Sequence, residues 1–207
     1  MTLRLNGATS GYTEIDAPAV AGNNNLKLPG GNGSDGNILG TDGAGNLSWV
    51  NGRMVLETAK ASTSGTSVDF TGIPSWVKRV TVMLSGVSTN GTSVPTIQIG
   101  SSSGFETSSY QGSLWTSNTN NANISSGFAL LALPNDATGL FHASVVITLL
   151  GSNTWVGSGV VGRSDTTNTS LVAGSKTLSG TLDRIRVTTI GGTNTFDAGS
   201  INILYEG

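Results

Sequence analysis

His142 is the sole histidine in the chain, so any Ser-His-acid nucleophile must draw its base from that one position. It falls within an alternating run in which Phe141, Ala143, Val145, Ile147 and Leu149 share one side, and it takes the opposite, polar side with Ser144, Val146 and Thr148. No Gly-x-Ser-x-Gly elbow leading into a helix accompanies it, and a solvent-facing strand histidine is the expectation. Glycan hydrolysis needs two carboxylates roughly 5–9.5 Å apart across a groove. Glu57, Glu106, Asp136, Asp165, Asp183 and Asp197 are the candidates. No spacing among them singles out a pair, and turn or capping roles account for most.

The stretch Gly30-Gly31-Asn32-Gly33-Ser34-Asp35-Gly36-Asn37-Ile38 resembles a calcium-binding β-roll nonapeptide. Its apolar residue falls one place late, with Asn37 standing where it should be, and stacked copies to share ligands are missing. A Gly-Asn-rich turn is expected instead. No phosphate loop or dinucleotide fingerprint opens a helix, so the chain is expected to carry no cofactor, no metal and no catalytic residue, and not to be an enzyme.

The chemistry that remains is recognition. Between residues 101 and 126, a stretch that reads as a loop, Phe105, Tyr110 and Trp115 stand among Ser, Thr and Asn. Rigid aromatics beside amides and hydroxyls suit a sugar or protein ligand. Tyr110 and Trp115 are therefore receptor-contact candidates, and the alternative is that both belong to a further core strand.

Positioning such residues falls to a chain rich in turn formers. It has 207 residues, of which 30 are Gly, and 36% are apolar, low for a globular protein. Charged residues make up 11% and the formal net charge is −2, against the clustered cations that nucleic acid demands. Disordered chains pair low hydrophobicity with high net charge, which is not the case here. The absence of cysteine removes disulfides and thiolate metal sites. No apolar run approaches the roughly 18 residues needed to span a bilayer, so membrane insertion is not expected; the longest runs, 128–133 and 145–150, read as buried strands. Residues 1–7 lack a signal peptide's apolar core, and export by that route is not expected.

Two regions differ in texture. Residues 1–52 hold short apolar pairs between turn clusters such as Asp42-Gly43-Ala44-Gly45-Asn46, and their spacing suits a β-meander. Each strand offers one or two apolar side chains, too few for a lone sheet to be stable in water. Three copies wound about one axis would pool Leu26, Leu28, Ile38, Leu47 and Trp49 into a shared core, so this region is expected to be an intertwined trimerisation and attachment module. Residues 53–207 carry longer runs of period two. In one of them Val80, Val82 and Leu84 face one way and Arg79, Thr81 and Met83 the other. Further runs at 94–99, 154–161, 170–178, 183–190 and 198–205, with weaker ones near 55–59, 68–70 and 127–131, make about eight to ten strands, as in a jelly-roll-like antiparallel β-sandwich. No sustained helical period survives the glycines and prolines, as at Ile73-Pro74-Ser75 and Leu133-Pro134-Asn135. The fold class is all-β.

Four phrases carry a resemblance. They are Leu5-Asn6-Gly7 through Gly11-Tyr12-Thr13-Glu14-Ile15-Asp16-Ala17-Pro18, Gly36-Asn37-Ile38-Leu39-Gly40-Thr41-Asp42-Gly43-Ala44-Gly45-Asn46-Leu47-Ser48-Trp49, Asp69-Phe70-Thr71-Gly72-Ile73-Pro74-Ser75-Trp76-Val77-Lys78-Arg79, and Ser179-Gly180-Thr181-Leu182-Asp183-Arg184-Ile185-Arg186. In this order they resemble structural proteins of tailed bacteriophages, many from marine and cyanobacterial hosts. The second phrase resembles a turn-and-strand module of trimeric surface proteins, and the last two the distal β-domain of fibre and tail proteins.

The resemblance implies a homotrimer made in the host cytoplasm and carried on the virion exterior. There it would attach to other virion proteins of capsid or tail and touch a host surface glycan or protein. Many fibres are several times longer, so a short head fibre, a capsid decoration protein that braces the shell, and a tail-tip piece stay open. A polysaccharide-degrading tailspike tip is the enzymatic alternative.

Overall fold

The computed structural model describes residues 3–15, 18–20, 22–34, 37–52, 54–117, 121–131 and 136–207. Of the motif residues above, Gly36, Asp35, Asp16, Ala17, Leu133, Pro134 and Asn135 lie outside this set, as does the end of the run 128–133. The chain divides into two compact units, Met1–Gly52 and Arg53–Gly207. Every described element in both is a strand.

The first unit holds two separate hairpins rather than a continuous meander. Strand β1 (Leu3–Asn6) pairs with β2 (Tyr12–Ile15), and β3 (Asn37–Thr41) pairs with β4 (Leu47–Asn51). The strand expected around Leu26 and Leu28 is a single parallel bridge from Lys27 to Asn46. Its connectors are Gly- and Asn-rich, and without an apolar face to dock on they do not extend into ladders.

The second unit is a two-sheet sandwich. Its strands are β5 (Met54–Leu56), β6 (Lys60–Ala61), β7 (Ser67–Thr71), β8 (Arg79–Thr89), β9 (Pro95–Ser101), β10 (Gly104–Phe105), β11 (Gln111–Thr116), β12 (Asn121–Asn123), β13 (Phe128–Ala129), β14 (Phe141–Gly151), β15 (Thr154–Arg163), β16 (Thr169–Thr177), β17 (Leu182–Thr189) and β18 (Phe196–Glu206). Take β5 with β6 as the first of eight strands, followed by β7, β8, β9, β13, β14, β17 and β18. The first then pairs with the last, the second with the seventh, the third with the sixth and the fourth with the fifth. Pairs β8–β18 and β9–β17 complete the two sheets. This is a long antiparallel ribbon folded over on itself, the pairing of a jelly roll. One result is that Met54 lies opposite Glu206, so the first and last strands of the sandwich are neighbours.

Two insertions enlarge the ribbon. Strands β10 to β12 come between its fourth and fifth members, and β15 with β16 between its sixth and seventh. Strand β11 pairs with β16, which extends the larger sheet to the order β12-β11-β16-β15-β14-β8-β18-β5. The stretch 101–126, read as a loop, thus contains strands at Gly104–Phe105, Gln111–Thr116 and Asn121–Asn123. Its Ser, Thr and Asn content mimics turn chemistry, but pairing to β9 and β16 satisfies its backbone.

The alternation in β8 and β14 sends Val80, Val82, Leu84, Phe141, Val145 and Ile147 into one continuous core with residues of the smaller sheet, among them Ile97, Phe128, Ile185 and Val187. Strand β15 approaches the opposite sheet so closely at Gly157 that an added Cβ would stand 2.8 Å from Cε1 of Phe128.

Candidate assembly and recognition surfaces

In the first unit the β3–β4 turn is built by Asp42. Its Oδ1 accepts the backbone N–H groups of Ala44 (2.8 Å) and Asn46 (3.1 Å), while Asn46 Nδ2 donates to Oδ2 at 2.6 Å. These bonds, the Asn46 amide first, hold the Asp42 carboxyl below its ordinary pKa. Gly45 takes φ of 93°, and a Cβ there would run into the carbonyl oxygen of Asn25. That close approach lets Lys27 N donate to Gly45 O, and Leu47 N to Lys27 O, both at 2.9 Å. The segment carrying Leu26 and Leu28 is thereby tied alongside the turn.

Hydrogen-bond register divides the five expected interface residues. Leu39 lies opposite Trp49 and Thr41 opposite Leu47, so these four share one face of the hairpin. Ile38 lies opposite Val50 on the other face. Leu28, Leu47 and Trp49 come together around a shallow groove of about 370 Å³, with Trp49 Nε1 donating to Gly31 O at 2.6 Å. Ile38 is kept apart from this group, and Leu39 and Val50, which the sequence reading passed over, add apolar surface on both faces. Leu26 and Leu28 are each 72% exposed and Trp49 39%. None of the first unit's described residues is buried.

In the second unit the two receptor-contact candidates part company. Tyr110 is 3% exposed and is corrected to a core residue. Its hydroxyl accepts from Ile99 N (2.8 Å) and donates to Glu106 O (3.0 Å), and its ring meets Phe128 edge-on at 5.3 Å. Burial pushes the phenol pKa up. Such a side chain offers no surface to a receptor. Trp115, on the outer face of β11, is 47% exposed beside its cross-strand neighbour Leu171.

Phe105 lies beneath the Arg186 guanidinium, 4.1 Å from the ring centroid, while Arg186 Nε and Nη2 each donate to Asp69 at 2.7 Å. A polar groove of about 360 Å³ runs past Arg186 between Gln98, Thr107, Ser126 and Thr188. The segment 101–126 thus lends Thr107 and Ser126 to a recess on the smaller sheet.

His142 is exposed, and its Nε2 stands 3.2 Å from Ser164 Oγ. Its Nδ1 accepts a long bond, 3.4 Å, from Gly86 N. A backbone donor at Nδ1 places the ring proton on Nε2, directed at the serine. That is the reverse of the arrangement in which Nε2 removes a serine proton.

Nearby, Arg163 lies between Asp165 (Nε–Oδ1 3.1 Å) and Asp136 (Nη2–Oδ1 3.1 Å). The Arg163 hydrogen bond draws the Asp165 pKa down, and the Thr138 hydroxyl, followed by Arg163, does so for Asp136. Both carboxylates are therefore ionised at neutral pH, and neither is poised as a general acid. Among the described residues no group of three or more His, Asp or Glu side chains is placed to hold a metal, and no helix is long and apolar enough to cross a membrane.

No protein-family model, curated protein or solved structure matches this chain. The fold itself defines the class: an all-β protein with a small hairpin unit followed by a jelly-roll-like sandwich.

Proposed function

We propose that the protein is a non-enzymatic structural component of a phage virion, a homotrimeric fibre-like appendage on the particle exterior. The observation that carries this reading is that no described side chain of the hairpin unit is buried, yet leucine, isoleucine, valine and tryptophan are displayed on the two faces of its second hairpin. Two-stranded hairpins are marginal in water, and this unit gains its missing core when copies pool those side chains. The four phage-like phrases supply the setting, with attachment through the hairpin unit and presentation of the sandwich loops toward the host. Three sandwiches held together make weak contacts additive, provided all three engage.

Light scattering coupled to size exclusion at micromolar concentration is expected to give about 63 kDa, three chains of 21.0 kDa. The double substitution Leu28→Ser with Trp49→Ser shifts the population toward the single chain. A monodisperse wild-type monomer overturns the reading. Gold labelling of intact particles then tests the location.

A further inference from the structure

We propose that the outward face of the larger sheet is a second contact surface between copies of this chain, an inference that rests on the homotrimeric reading above. An antiparallel sheet with one solvated face normally alternates apolar-in with polar-out. Here the inward residues are core, as expected, but the outward ones are not ordinary solvent-facing residues.

Cross-strand register aligns Trp115 with Leu171, Leu171 with Val160, Val160 with Ser144 and Ser144 with Met83, a row crossing five strands. The adjacent row carries Ala173, Val146, Leu204 and Leu56, interrupted by Ser158 and Thr81. Val156 follows in the third. Trp115, Leu171, Val160, Val156 and Leu56 are all exposed. Across the described positions of β11, β16, β15, β14, β8, β18 and β5, the outward charged side chains lie only at the two ends of the strands, Arg79 and Glu206 paired at one and Asp197 at the other. Arg163 and Lys176, on the same strands, are buried.

The smaller sheet provides the contrast. Its outward positions hold Asp69, Arg184 and Arg186, an ordinary charged surface. The sandwich therefore has one charged, wet face and one whose central rows are dry.

Another copy of the chain suits the dry face for two reasons. Seven strands about 4.8 Å wide and three rows about 6.8 Å deep project to an area of about 700 Å², comparable with the ~800 Å² per partner of specific complexes. The uncharged central rows also pack against another copy without repulsion, while a charged partner would find nothing in them to pair with. Hairpin units that tether the copies keep these faces at high local concentration.

Because the chain has no cysteine, a single introduced thiol reports its own environment. Val160→Cys and the near-isosteric Ser158→Cys sit on the dry face, and Thr71→Cys, exposed on the smaller sheet, is the control. In the assembled full-length protein the first two are expected to react with a maleimide at least tenfold more slowly than the control, and to match it once the protein is diluted to monomer. Equal rates in a verified trimer overturn the second surface and leave the hairpin-mediated trimer standing. Slow labelling that persists in the monomer also overturns it, because protection would then come from the chain itself. A wild-type protein that is monomeric throughout removes both proposals.

Discussion

At the scale of single residues, Tyr110 shows how a core residue can carry the look of a receptor contact. An aromatic among serines and threonines looks like a recognition element, but its hydroxyl closes a buried bridge from Ile99 to Glu106. Tyr110→Phe is expected to cost about 1–2 kcal/mol, read as a lower denaturant midpoint with an unchanged slope, and to leave any surface adhesion intact. Gly157 is equally local in effect. Gly157→Ala pushes a methyl into the Phe128 ring and is expected to destabilise by about 1–3 kcal/mol, and combining it with Phe128→Leu should recover part of that loss. Arg163→Met strips two carboxylates of their partner. Asp165 has a folded pKa below 3.8, so its share of stability is complete above about pH 4 and disappears as pH falls through that lowered value. The variant should therefore be less stable by about 2 kcal/mol at pH 7, with the gap closing toward pH 3 in acid-titrated denaturation curves.

At the scale of elements, β8 and β14 were legible because strict alternation of β-branched and polar residues leaves one way to bury a face. Tyr110 to Ser126 was not legible, since β11 and β12 take most of their stability from backbone pairing to β16 and to each other rather than from an apolar stripe. Nor did the sequence reveal the pairing order, because which strand meets which depends on long-range closure that no local pattern encodes. In the first unit the five proposed interface residues were recognisable as apolar, yet the separation of Ile38 from Leu47 and Trp49 required the Leu39–Trp49 register. Amide hydrogen exchange should follow these differences. Central strands β8, β14 and β18 are expected to exchange slowest, and β3 with β4 fast in the monomer and slowly after assembly.

At the scale of the whole molecule, both units expose apolar surface, and the proposed trimer would make stability depend on neighbours. Mass action then requires the melting temperature to rise with protein concentration, by several degrees between low and high micromolar in calorimetry. A concentration-independent transition would mark a self-sufficient chain.

The pairing of Met54 with Glu206 has a practical side. Whatever is joined to the carboxyl terminus emerges at the end of the sandwich where β5 begins. The far ends of β8 and β18, at Thr89 and Phe196, stand about 33 Å away along the strands. A gold particle or fluorophore fused after Gly207 would therefore mark that end of the sandwich, and marking its opposite end calls for a label inserted near Gly91 or Gly192.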